Sequence, residues 1–127
     1  MTIERKLHII CHDVPWPADY GGVVDLFYKL KALHAEEIKI ILHCFLYGQR
    51  KEEAVLNQYC EEVHYYKRLI GWKGFSFTKP YIVQSRANPE LLKNLLKDDH
   101  PVLMEGVHCT AFLYQLRQNN KKVFLVR

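Results

Sequence analysis

His12 beside Asp13, and His108 three residues after Glu105, are the side chains in this sequence whose types and spacing best suit proton transfer. An imidazole titrates near neutrality, so either ring could accept a proton from a hydroxyl, and a neighbouring carboxylate could orient it. Each pair is also compatible with an ordinary surface histidine next to a helix cap. The spacing of these four residues is set by loops and specifies no metal site, so none is expected.

The loop HDVPWPADYGG, residues 12–22, adds two prolines around Trp16 and a glycine pair just before a helical pattern. Gly21 and Gly22 would let a ligand approach the backbone closely, and the free N–H groups of a helix start suit a phosphate or a developing negative charge. The other reading of the pair is a tight turn that needs positive φ. A dinucleotide fingerprint is excluded, because G-x-G-x-x-G is absent, and so is a P-loop.

A third segment, LIGWKGFSFTKPYIVQSRA from Leu69 to Ala87, interleaves Trp72, Phe75, Phe77 and Tyr81 with Lys73, Lys79 and Arg86. It is long for a connection. Such a mixture could rest on a membrane interface over residues 70–86 or enclose an acceptor with a lipid tail; alternatively, its aromatics fold back onto the body of the domain.

The elements that must position these residues follow from hydrophobic patterning. Strand-like apolar runs alternate with helix-like periodicity along the whole chain, the signature of βα units and a parallel sheet. Strands are expected at Leu7–Cys11, Ile38–Leu46, Val63–Tyr66, Pro101–Glu105 and Lys122–Val126. Helices are expected from just after Gly22 to near Ala35, with Asp25 in the first turn, and over Lys51–Glu62, from an Asn88 cap through Pro89 and Glu90, and over Thr110–Gln118. Right-handed crossovers then give a Rossmann-like three-layer α/β domain with strand order 3-2-1-4-5. The order reverses between the first and fourth strands, and the loops leaving them, 12–22 and 106–109, diverge around a crevice where such folds bind ligands.

Composition sets the outer bounds. With 127 residues, 49% hydrophobic, the chain fits one domain, residues 1–127, and not two. The amino-terminal apolar run is broken by His8 and His12, so no secretory or spanning segment is read there and a cytoplasmic location is expected. Cys11, Cys44, Cys60 and Cys109 are scattered without a C-x-x-C pair and are expected to be reduced and buried. A net charge of +4 spread along the chain offers no track for a nucleic-acid backbone, so no nucleic-acid partner is expected.

The strand LHIIC, the loop PWPADYGG, the helix VVDLFYKLKAL and the later segment PVLMEGVH together resemble the opening of retaining GT-B glycosyltransferases of the family 4 type, as found in bacteria. The resemblance covers the order of elements throughout, and its specific part is the proline loop closing on Gly-Gly. It implies the acceptor-side, amino-terminal half of a GT-B enzyme that continues beyond Arg127 into a second domain, which would hold most of the nucleotide sugar. It implies transfer of a sugar from a nucleoside diphosphate to a hydroxyl in polysaccharide or glycolipid synthesis, without an essential metal or cofactor. It also gives roles to residues: His108 near the transferred sugar with Glu105 supporting it, Gly21 and Gly22 against the diphosphate or acceptor, and Trp16 and Tyr20 as stacking surfaces, with His12 and Asp13 beside them. One departure stands out: members of the family often end the first helix with glycine, whereas Glu36 and Glu37 occur here, so a left-handed cap would be strained and a different turn is expected. The alternative to an enzyme is a non-catalytic α/β binding domain that uses the same crevice.

Overall fold

A computed structural model of the chain describes residues 5–46, 51–74 and 76–126. Five strands, β1 (Lys6–Ile10), β2 (Lys39–Leu46), β3 (Glu62–Lys67), β4 (Val102–Glu105) and β5 (Val123–Val126), pair entirely in parallel in the order β3-β2-β1-β4-β5. The α/β topology expected from alternation and crossover handedness is the one found.

Each face of the sheet is covered, which is why β1 and β2 read as nearly continuous apolar runs. On one face Ile9, Cys11, Ile40, Leu42 and Cys44 pack beneath Leu26, Phe27 and Leu30 of the helix α1 (Gly21–Ala35), together with Leu56. On the other, Ile10, Phe45, Val102 and Met104 meet Leu91 and Leu95 of α3 (Pro89–Leu95) and Leu116 of α4 (Leu113–Gln118). All four cysteines are free and buried.

The start of α3 is as expected, with the Asn88 side chain accepting from the Glu90 N–H at 3.0 Å. Three local expectations change. The helix expected over Lys51–Glu62 is reduced to a 3-10 turn, Ala54–Gln58, because the chain must still reach Glu62 in register with Ile41 and a 3-10 turn rises further per residue. Helix α1 begins two residues earlier than expected, at Gly21, so Asp25 lies past the first turn, which contains no acid. Its end is also not the different turn anticipated. Glu37 adopts φ 62° and donates to the His34 carbonyl, while the Ile38 N–H reaches back to the Leu33 carbonyl, forming a Schellman cap with glutamate where glycine is usual.

The face covered by α3 also holds a buried polar chain. His8 Nε2 lies 2.9 Å from an Asp98 carboxylate oxygen, His8 Nδ1 is 2.8 Å from His43 Nε2, His43 Nδ1 is 2.8 Å from the Tyr66 hydroxyl, and Asn94 donates to that hydroxyl at 2.8 Å. Lys121 donates to the same Asp98 at 2.9 Å. One proton on each imidazole satisfies the chain: Tyr66 donates to His43, His43 to His8 and His8 to the ionised Asp98.

Candidate functional site

At the carboxyl end of the sheet, β1 and β4 are neighbours whose following loops part company. Between them opens a cleft of about 280 Å³ lined by His12, Gly22, Asp25, Lys29, Glu105 and His108, among others. Gly22 and His108, far apart in the sequence, thus line one pocket. The rings of His12 and His108 approach to 5.5 Å between centroids, tilted by 36°.

The glycine pair is the opening of α1 and not a positive-φ turn, since among the described glycines only Gly71 and Gly106 have positive φ. A Cβ on Gly21 would meet open space, and one on Gly22 would sit 3.4 Å from His12 Cε1. Bare backbone at Gly22 therefore faces the cleft, whose lining does not include Gly21, and a side chain on Gly22 would grow against the imidazole. Tyr20 is the N-cap and gives no side-chain cap bond.

Two residues place His12. The Tyr20 hydroxyl donates to Asp13 at 2.9 Å and lies 3.5 Å from His12 Nε2, and the Asp13 carboxylate also accepts the Val14 N–H at 2.8 Å. Asp13, which is buried, thus shapes the loop and does not line the cleft. Arg86 donates from Nε and Nη2 to the His12 carbonyl at 3.2 Å each, and from Nη1 to the Ile82 carbonyl at 2.7 Å, fastening the 69–87 segment to the floor of the first loop.

Burial, then the neighbouring His108 and the Arg86 guanidinium, pushes the His12 imidazole below its ordinary value of 6.5. His108 is pushed down by burial and then by Arg86 and Arg68. Both rings are therefore neutral at pH 7, each with a lone pair able to accept a proton.

Glu105 stands in the cleft as expected, but its partner is Lys29, whose Nζ is 2.5 Å from Oε1. The carboxylate side chain is only 12% exposed, so the lysine is its main compensation. Its charge favours the protonated form of His12, a small effect beside burial. Trp16 is turned away from the cleft: its ring tilts onto Phe27 at 5.0 Å and joins the core under α1, because an indole gains more from that apolar contact than from an open rim. Neither it nor Tyr20 lines the pocket.

Sequence reading missed Lys29, Asp25 and Gly106. The i, i+4 spacing of Asp25 and Lys29 put them on one face of α1, and that was the available signal. Gly106, at φ 90°, needs the absence of a side chain to turn the chain from β4 into the 3-10 turn Val107–Cys109 that carries His108. Among the described residues no group of three or more His, Cys, Asp or Glu side chains is arranged to hold a metal ion, and no helix is long and apolar enough to cross a membrane. No protein-family model matches the chain, and a search of curated proteins finds no significant match.

Proposed function

We propose that this chain is the acceptor-side domain of a retaining glycosyltransferase, which moves a sugar from a nucleoside diphosphate to a hydroxyl acceptor in polysaccharide or glycolipid assembly. The observation that carries this reading is the meeting of Gly22, His12 and His108 in one cleft at the reversal of a parallel sheet.

In the transfer, a bond forms between the acceptor oxygen and the anomeric carbon on the same face of the sugar from which the diphosphate oxygen departs, so the configuration is kept. The hydroxyl proton passes to a neutral imidazole, with His108 the base and His12 beside it, and the nucleoside diphosphate departs with the bonding electrons. The N–H groups of Gly21 and Gly22 meet negative charge on the diphosphate or on the acceptor oxygen, favoured there by the dipole of α1. The nucleotide is held mainly by a second domain of the parent protein.

The test uses the full-length parent and measures nucleoside diphosphate release from UDP-, GDP- and TDP-sugars with sugar and lipid acceptors present. Release that disappears in Gly22→Val and falls at least about a hundredfold in His108→Ala, both variants melting as the wild type does, supports the reading. Absence of release from every donor, or wild-type turnover in both variants, overturns it in favour of a binding domain. The chain alone, residues 1–127, should hydrolyse none of these donors above background.

A further inference from the structure

The aromatic and basic segment between β3 and α3 resolves into a 3-10 turn, Gly71–Gly74, and the short helix α2 (Tyr81–Gln84). Polar contacts close the base of this excursion and tie it to the domain. The Leu69 N–H donates to the Ser85 carbonyl at 2.6 Å, Arg68 donates to the Ser85 hydroxyl at 2.7 Å, and Lys79 Nζ reaches the Ala111 carbonyl at 3.0 Å. With Arg86 bonded to the loop after β1, the excursion is tied down on both sides of the carboxyl edge of the sheet.

Among its described residues Val83 is buried, but several larger apolar side chains stand in solvent. Trp72 is 88% exposed, Phe77 95% and Ile70 76%, and Tyr81 and Ile82 are also exposed. The alternative left open by the sequence, aromatics folded back onto the body of the domain, therefore does not describe Trp72 or Phe77. A concentration of exposed apolar groups on one short excursion marks a contact surface.

Charge identifies what it contacts. The 27 residues from Val63 to Pro89 contain no aspartate or glutamate and five lysines and arginines, Lys67, Arg68, Lys73, Lys79 and Arg86, of which Arg86 is buried against backbone carbonyls and adds nothing to the surface charge. Lys67 and Arg68 border a groove of about 640 Å³ that Ile70, Tyr81 and Ile82 also line. Tryptophan and tyrosine favour the boundary between lipid tails and headgroups, and an acid-free basic surface is attracted to anionic headgroups. We propose that the surface bearing Ile70, Trp72, Phe77, Tyr81 and Ile82, with Lys67 and Arg68 beside it, docks onto an anionic lipid bilayer.

This inference is independent of sugar transfer, and its test needs no activity. The protein is sedimented with vesicles of phosphatidylcholine alone or with added phosphatidylglycerol. Binding to the anionic vesicles should weaken at least about tenfold in Trp72→Ser/Phe77→Ser. Lys67→Gln should weaken it about fivefold, and added salt should weaken it further. Melting curves establish that the variants fold. Brominated lipid should quench the tryptophan emission of the wild type, and Trp72→Phe should remove that quenching. Failure to bind anionic vesicles overturns the proposal, as does equal binding by the serine variant. So does a dimer in sedimentation equilibrium that the serine variant abolishes, which would assign the surface to a second copy of the chain.

Discussion

His8 Nδ1 and His43 Nε2 lie 2.8 Å apart in the core, joining two imidazoles on adjacent strands into a chain that ends on Asp98 at one side and Tyr66 at the other. The strand register sets His8 opposite Ile41 and Ile10 opposite His43, so the two rings are diagonal neighbours on one face.

Burial pushes the His8 imidazole below 6.5 despite the pull of Asp98, and pushes His43 well below it with help from His8 and His64. In the unfolded chain both rings titrate at the ordinary value, so below that pH the unfolded state binds more protons than the folded one. Stability should be level above about pH 6.5 and fall as pH drops beneath it, by up to about 1.4 kcal/mol per pH unit for each ring. Asp98, held down to about 2 with Lys121 and His8 as its partners, adds a later loss between 3.8 and about 2. Urea midpoints from pH 8 to pH 4 measure the first slope; a flat profile would remove the neutral pair from the account.

Replacing His43 by leucine leaves the buried His8 Nδ1 without its partner and the Tyr66 hydroxyl without an acceptor for its proton, although that oxygen still accepts from Asn94. The expected cost is about 2–4 kcal/mol at pH 7.5, from the orphaned His8 nitrogen and the lost acceptor of the Tyr66 proton. Tyr66→Phe in the same background should add little to that loss, because the hydroxyl has already lost its acceptor and only the bond from Asn94 goes with it. Equilibrium unfolding of the single and double variants decides whether the chain is coupled in this way.

Glu37 holds a left-handed conformation that glycine adopts without a Cβ clash. Glu37→Gly should therefore raise stability by about 1 kcal/mol while leaving the cap bonds to His34 and Leu33 in place. A lower melting temperature would mean that the glutamate side chain contributes more than its backbone costs.

Gly74 is constrained by space: a Cβ there would come within 2.5 Å of the Leu69 carbonyl oxygen and 2.9 Å of the Tyr81 ring. Gly74→Ala must push the two turns of the exposed excursion apart. A loss of about 1–3 kcal/mol and faster proteolytic cleavage within residues 69–85 are expected. Wild-type resistance to protease would show that the excursion accommodates the methyl group.

Lys29 and Glu105 bridge α1 and the end of β4 inside the cleft. Lys29→Met alone should cost more than the double change with Glu105→Gln, since the single variant leaves a carboxylate in a poorly solvated pocket. A double-mutant cycle should give a coupling of about 1–3 kcal/mol, and additivity would mean that water already screens the pair.

Much of the fold was legible along the chain. Apolar runs such as Ile40–Cys44 could only be strands covered on both faces, and the spacing of Val23, Leu26, Phe27 and Leu30 could only bury one side of a helix. Handed crossovers then left one strand order. Boundaries were less legible, as over Lys51–Glu62, because the length of a crossover is fixed by where the next strand must begin.

The cleft was legible as a meeting of two loops, with His12, Gly22, Glu105 and His108 all on its lining. The partners within it were not. Trp16 looked like an exposed ring and packs on Phe27, while Glu105 looked like a support for His108 and pairs with Lys29.

By itself the sequence determined which segments are strands and helices, their order in the sheet and which loops converge, because periodicity and chain handedness are local properties that accumulate. Only the tertiary structure decided which polar groups pair: His8 with His43 and Asp98, Glu105 with Lys29, and Arg86 with the His12 carbonyl. The reason is physical. Burial cost and hydrogen-bond reach depend on distances across strands and between layers, and no spacing along one chain encodes those distances until register and packing are set.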